Sequence, residues 1–277
     1  MSSTHHDRTA RRLVFVDIDG TYAHHGVVPP AHEEAVVAAR AAGHRVLLCT
    51  GRSAGMLPRG ILDIGFDGLV ASAGCYVEVG GTVLVDRRIP EDLASRVLSA
   101  LDRSGAAYVL EAPDGVYAHP GVADRLRALL TAPGGPDGTV DFLEMVEARA
   151  DLSTTSFAKA TYLESAWTAT DVLAAVGPGL GHVPTSLAHA DDHSGEIHLL
   201  DVHKAVGIRA VVDHLGAHDD EIVAFGDGIN DVEMLELADT AVAVEGSHQR
   251  VLDAADLVAA PPLEAGLAAV FADLGLR

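Results

Sequence analysis

Three short runs of uninterrupted apolar residues organise this chain, and each empties into a polar motif. Leu13, Val14, Phe15 and Val16 lead to Asp17; the run 46–49 leads to Thr50; the run 222–225 leads to Gly226 and Asp227. Runs of this length without alternation predict strands buried on both faces, the habit of parallel sheets. Between the first two, Pro29 and Pro30 open a helical stretch over 33–42 that stops at Gly43. Proline at the start and glycine past the end is ordinary helix punctuation. Strand, helix, strand is a βαβ unit, and its crossover is expected to be right-handed. The alternation resumes late in the chain, with a helix over 203–215, a strand over 221–225, a helix over 231–238, a strand over 240–244 and a closing helix over 262–274.

The middle has another rhythm. Tyr76 to Val79 and Thr82 to Val85 flank Gly80-Gly81, and 107–112 and 116–119 flank Pro113-Asp114-Gly115. Both patterns predict hairpins. Leu93, Val97, Leu98 and Leu101 mark one helix face, and Leu126, Leu129 and Leu130 another. The stretches 142–146, 156–163 and 183–187 supply further candidate strands, and 133–138 reads as a loop. Hairpins with helices to one side predict an α+β insert. The expected architecture is α/β: a doubly wound parallel-sheet, Rossmann-like core over 13–81 and 200–277, interrupted by a smaller α+β domain over 82–199. Residues 1–12 are polar and are expected to form a disordered extension.

Composition narrows the partners. The chain has 277 residues, 48% of them apolar, which is enough for a substantial core. Its formal charge of −21 argues against nucleic acid or an anionic membrane as a partner. Any anionic ligand must therefore be met by local cations or a metal. Neither a membrane-spanning run nor a signal-peptide segment is visible, and Cys49 and Cys75 are the two cysteines. A reduced, cytoplasmic, soluble protein is expected, as a monomer or homodimer. The 15 histidines include adjacent pairs at His5-His6 and His24-His25, but none shows a ligand spacing, so they read as surface.

In open α/β sheets, ligands bind at the carboxyl ends of the strands, where all three motifs stand. Two carboxylates two residues apart, Asp17 and Asp19, suit the cleavage of a phosphomonoester. A carboxylate nucleophile divides that slow reaction into making and hydrolysing an acyl phosphate. Asp17 is the expected nucleophile, and Asp19 the acid that protonates the leaving oxygen and the base that then deprotonates water. Two anions would repel without a cation between them, and Mg²⁺ favours carboxylate and phosphate oxygens. Asp227 supplies a further carboxylate, and Asp231, at a helix start, is expected to hold the metal directly or through water. Gly20 lets the backbone turn and aim amides at phosphate oxygens, and Thr50 offers them a hydroxyl. Lys204, just inside a helix N-terminus, adds a positive charge. Singly, each motif reads as a turn, a cap or a surface charge; their order and joint suitability carry the inference.

This set resembles the haloacid dehalogenase superfamily of phosphohydrolases. Asp17-Ile18-Asp19-Gly20-Thr21 is similar to its first motif, Thr50 to its second, Lys204 to its third, and Gly226-Asp227 through Asp231 to its fourth. The Gly-Asp-Gly-x-Asn-Asp form and the large insert resemble the Cof-type branch. The resemblance implies that the insert is a type II cap of the B subclass and that the substrate is a small phosphomonoester, a sugar phosphate foremost. It also implies metal ligation by Asp17, the Asp19 carbonyl and Asp227, with Asn230 facing the phosphate and Gly51 and Arg52 lining the site. Departures occur at Ala73-Gly74-Cys75, where relatives usually carry Asn-Gly-Ala, at Ala205, where glycine is usual, and at Tyr22 and His24-His25. Lys159, Tyr162 and His198 of the insert read as solvated surface rather than ligand contacts. Two other readings keep the same residues: a phosphomutase or phosphotransferase working through the same aspartyl-phosphate, and a non-catalytic sugar-phosphate sensor.

Overall fold

The five residues of β1, Arg12–Val16, are buried from end to end. They sit inside an eight-stranded sheet in the computed structural model, which describes residues 11–130, 144–185 and 192–277. In chain order the strands continue with β2 (Arg45–Cys49), β3 (Gly68–Ala71), β4 (Tyr76–Val79) and β5 (Thr82–Asp86). A second set comes next: β6 (Ala107–Ala112), β7 (Gly115–Ala118), β8 (Val146–Ala148), β9 (Lys159–Leu163), β10 (Leu180–Val183) and β11 (Gly195–Leu199). The chain then returns with β12 (Glu221–Gly226), β13 (Thr240–Val244) and β14 (Leu257–Ala259).

The large sheet has the order β14-β13-β12-β1-β2-β3-β4-β5, parallel from β14 to β3 and antiparallel at β3–β4. From β1 the chain moves outward to β2 and β3, and only the late strands fill the other side. The order therefore reverses beside β1, which opens a crevice between β1 and β12 at the strands' carboxyl ends. Uninterrupted Val, Leu, Phe and Ala in β1, β2 and β12 meet the demand of a sheet covered on both faces.

Two compact units result: the described residues of Met1–Gly51, Pro58–Val85 and His203–Arg277 form one, and Arg52–Leu57 with Asp86–Val202 forms the other. The β5 strand, which the sequence pattern set at the head of the insert, pairs into the eight-stranded sheet. Arg12 belongs to the sheet rather than to a loose extension. Its guanidinium is 4% exposed and meets Glu221 at 2.7 Å, a partner that only the folded sheet supplies.

The second unit is built on a six-stranded sheet ordered β10-β11-β9-β6-β7-β8, mostly antiparallel with one parallel pair, β7–β8. This is the expected α+β character. The stretches 133–138, 142–143 and 186–187 lie outside the described residues, and the candidate strand before Val146 gives way to a helical residue at Glu144. Lys159 and Tyr162 are not solvated surface. Tyr162 is fully buried, with its hydroxyl 3.0 Å from His182 Nε2. The Lys159 ammonium lies 2.9 Å from Glu196 and 3.3 Å from Glu111, and Thr161 donates to the other Glu111 oxygen at 2.5 Å. Burial alone would lower the Lys159 pKa, but the two carboxylates raise it above its ordinary value. His198 is half-buried, with its Nδ1 3.0 Å from the Leu199 carbonyl.

The seating of Lys204 depends on one close approach. The helix Lys204–Leu215 lies against the turn Ser72–Gly74. A Cβ at Gly207 would come within 2.5 Å of Val70 Cγ1 and 3.1 Å of Gly74 Cα, so the helix touches the sheet at a residue with no side chain. The expected glycine after Lys204 is replaced by buried Ala205, and the contact is made two residues later. We expect Gly207→Ala to lower the melting temperature by a few degrees. Overpacking of about 1–3 kcal/mol exceeds the ~1 kcal/mol that alanine gains as a helix former. Thermal unfolding checks this, and an unchanged or raised midpoint would contradict the packing argument.

Candidate active site

Asp17 is the first residue beyond β1, and its amide donates to the Phe225 carbonyl of β12 at 2.9 Å. The carboxylate is thereby fixed in the crevice, 6% exposed. The chain then turns sharply at Gly20, whose φ is +83°. A Cβ there would overlap the Asp227 carboxylate, falling 2.7 Å from its Cγ, so glycine is required for both conformation and space. Thr21 closes the turn onto the opposite strand end, its hydroxyl donating to Asp227 Oδ1 at 2.7 Å.

Lys204 enters from the start of its helix and is fully buried. Its Nζ donates to Asp17 Oδ1 at 2.6 Å and also to Asp231 Oδ1. The second Asp231 oxygen accepts the amides of Asp227 at 3.0 Å and Gly228 at 2.8 Å. Asp231 thus ties the lysine to the turn that carries Asp227, with both of its oxygens engaged by the protein's own donors. Oxygens of Asp17, Asp227 and Asp231 lie within 4.8 Å of one another, a spacing suited to one metal ion.

The charges do not balance by themselves. Three carboxylates and one ammonium sum to −2 in a crevice largely closed to water. Burial pushes the Asp17 pKa well above the usual carboxylate range, against the pull of Lys204, and Asp231 and Asp227 add to the rise. Asp227 is pushed up to about 6, first by burial, with the Thr21 hydrogen bond opposing and Asp231 adding to the shift. For Lys204, burial works toward a lower pKa, but Asp17 and Asp231 raise it above its ordinary value. A divalent cation among the three carboxylates would bring the sum to zero, so the donor set fits a hard, oxygen-seeking ion such as Mg²⁺.

Most of the other expected positions lie near this cluster. Thr50 is buried at the end of β2, with its amide on the Val70 carbonyl at 2.8 Å and its carbonyl accepting from Ala73 at 3.0 Å. Gly51 and Asn230 meet, since a Cβ on Gly51 would come 3.0 Å from the Asn230 amide nitrogen. The Asp19 side chain is exposed two residues beyond Asp17. Arg52 opens the short segment grouped with the second unit. His24 and His25 occupy a tight turn in which the His24 and Val27 backbones exchange hydrogen bonds at 2.9 Å. Thr21 had no assigned role in the sequence reading; a hydroxyl two residues past the second carboxylate was the available signal. Ser72 and Ala73 both adopt positive φ, 47° and 52°, an unfavourable conformation for residues with a Cβ, held here by the Ala73–Thr50 bond and the neighbouring helix.

A sequence model of the haloacid dehalogenase-like hydrolases matches residues 14–271. The chain belongs to this family. YkrA of Bacillus subtilis (strain 168), named as a presumed phosphatase, is 26% identical over 277 residues, covering 96% of this chain and 98% of its own. Among solved structures, the subclass IIB sugar phosphatase BT4131 superposes with a TM-score of 0.77 at 23% identity, covering 96% of this chain and 100% of its own. BT1666 from Bacteroides thetaiotaomicron, from a study of phosphatases, gives 0.77 at 22% identity with full coverage of both chains. These two superpositions establish the family's fold, with its Rossmann-like core. Among the described residues no helix is long and apolar enough to cross a membrane.

The Asp227 shift has a sign that can be checked. Its folded pKa of about 6 lies above the usual carboxylate value, so the protonated form is favoured in the native state. That contribution to stability is complete at low pH and is lost as pH rises through about 6. In chelator, Asp227→Asn is therefore expected to be more stable than wild type at pH 8, by about 1–3 kcal/mol after allowing for solvent screening. The advantage should disappear near pH 4. Added Mg²⁺ should raise the wild-type midpoint and leave the variant's nearly fixed. Scanning calorimetry with and without Mg²⁺ reads both, and a variant less stable than wild type at pH 8 would contradict the electrostatic account.

Proposed function

We propose that this hydrolase is a Mg²⁺-dependent phosphatase that cleaves a small phosphomonoester, a sugar phosphate foremost, through an aspartyl-phosphate on Asp17. One observation carries the reading: a buried carboxylate held by a buried lysine inside a three-carboxylate cluster, with a second, exposed carboxylate two residues along. The names of the relatives agree with it. In this reading the second unit is the cap of the type II, B subclass.

Asp17, Asp227 and the Asp19 backbone carbonyl would hold the metal, with Asp231 placed behind them by its bonds to Lys204 and two amides. The ion would supply positive charge beside the phosphate, easing the approach of one anion to another. Asp17 attacks phosphorus in line with the ester oxygen, forming an acyl phosphate as the P–O ester bond breaks. Protonated Asp19 gives its proton to the departing oxygen. As a carboxylate it then takes a proton from water, which attacks phosphorus, and the bond to Asp17 breaks to release inorganic phosphate. Throughout, Lys204 holds one Asp17 oxygen, leaving the other as the nucleophile. Thr50, Gly51, Asn230 and the amides after Gly20 are assigned to the phosphate oxygens, together with Arg52.

Phosphate release from a panel of phosphorylated metabolites, with Mg²⁺ and then with chelator, tests the assignment. Asp17→Asn should lose at least about a thousandfold in kcat, and Asp19→Asn about a hundred- to ten-thousandfold. Chelation should abolish turnover. Undiminished release by Asp17→Asn would sink the covalent route. Isomerised sugar phosphate as product would mark a mutase, and ligand binding without turnover a sensor.

A further inference from the structure

His32 lies in the helix Pro30–Ala41, fully buried, and takes no part in the chemistry above. Its Nδ1 is 2.9 Å from the carbonyl oxygen of Tyr22. A carbonyl only accepts, so Nδ1 carries the proton and donates. Burial lowers the His32 pKa and so favours the neutral ring, against the opposing pull of the Tyr22 carbonyl. Its other nitrogen, Nε2, is buried with no hydrogen-bond partner.

The bond lands at a telling place. The Tyr22 amide donates to the carbonyls of Asp17 at 3.2 Å and Ile18 at 3.0 Å. The Tyr22 ring is itself fully buried, edge-on to Phe66 at 5.4 Å and 6.1 Å from the His32 ring. The turn that bears Asp17 and Asp19 is thus pinned at its start by the Asp17–Phe225 backbone bond and at its finish by His32. In between, Gly20 against Asp227 and the Thr21 hydroxyl tie it to the neighbouring strand end. The turn's own backbone bonds, Gly20 to the Ala23 carbonyl at 2.9 Å and Ala23 to the Ile18 carbonyl at 2.8 Å, close it on itself.

A buried histidine can be mere filling. That account fits poorly, because an aliphatic side chain would fill the space without stranding Nε2, a loss of about 1–3 kcal/mol for an unpaired buried polar atom. The one hydrogen bond the ring makes is directed at the backbone of the carboxylate turn.

We infer that His32 is a positioning residue, whose Nδ1–H bond to the Tyr22 carbonyl sets the turn that holds Asp19 in place relative to Asp17. Its kinetic consequence rests on the phosphatase reading; its structural consequence does not. Three variants separate it from simple packing. His32→Leu keeps apolar bulk and removes the donor. His32→Asn can place an amide nitrogen near the position of Nδ1, and His32→Gln places it farther out, nearer that of Nε2.

Each variant is assayed for phosphate release with Mg²⁺, for thermal stability and for amide hydrogen exchange at Tyr22 and Ala23. His32→Leu should lose about ten- to a hundredfold in kcat, the scale expected when reacting groups shift by about 1 Å, with KM within about twofold of wild type. Exchange at the two amides should quicken about tenfold. His32→Asn should recover most of the kcat and the slow exchange while its midpoint stays low, because the ring's volume is not replaced. His32→Gln should recover neither. Wild-type kcat in His32→Leu, or kcat that simply tracks the melting temperature across the series, would overturn the inference. Should His32→Leu fail to fold, the Asn and Gln pair decides it. If the wild type releases phosphate from no compound, the phosphatase reading fails, and the exchange rates alone decide whether His32 pins the turn.

Discussion

The site turns on one buried ammonium. Lys204 is sequestered from water among carboxylates, and removing any of those charges from solvent is costly unless its partners are already placed. Every nearby element supplies such a partner: β1 delivers Asp17, the turn after β12 delivers Asp231, and the helix delivers the lysine from its first residue. Asp231 gives its remaining lone pairs to two backbone amides, so the lysine's anchor is itself anchored. The geometry depends on how near that helix can lie to the sheet, which is why the absent side chain at Gly207 and the strained backbone at Ser72 and Ala73 belong to the same design. One ammonium facing three carboxylates also leaves negative charge in excess, and this makes the cluster a place for a cation rather than a closed ion pair.

Much of this was legible in order along the chain. The long apolar runs of β1, β2 and β12 announced a parallel sheet because burial on both faces leaves no room for alternation. Asp17, Lys204, Asp227 and Asp231 could be gathered because such strands all end at one edge. Short or broken elements were harder to read. The four residues of β3 begin with glycine, β14 has only three, and β11 interposes Glu196 and His198 among its apolar positions. The helix Ala169–Val176 was missed although its start carries a reciprocal cap between Thr168 and Asp171, a signal visible in the letters. Lys159 misled for a different reason. A charged residue reads as surface unless its partners are known, and Glu111 and Glu196 lie 48 and 37 positions away in sequence, reached only through strand pairing. His32 was invisible on the same ground, since its bond to Tyr22 exists only once the helix has folded back over the turn.

The second unit carries its own electrostatic logic. Its Lys159 sits between two carboxylates, one of them almost wholly buried, and Thr161 satisfies the oxygen that the lysine does not. Taking three charged groups into a sheet is a poor way to gain stability when apolar residues of similar size would serve. What the arrangement does provide is a directional constraint: β6, β9 and β11 must be aligned for the three side chains to meet, so a slipped register would strand a buried charge.

Glycine occupies four positions around the carboxylate cluster: Gly20, Gly51, Gly226 and Gly228. A methyl group at any of them would press on Asp227, Asn230 or Asp231. At these four positions the cluster is bounded by main chain, which offers nothing for substitution to adjust. Mutation can break such a cluster, but at these positions it has little means of retuning it. Descendants of this sequence that change what they bind must do so with residues farther from the carboxylates, while the cluster itself passes on unaltered.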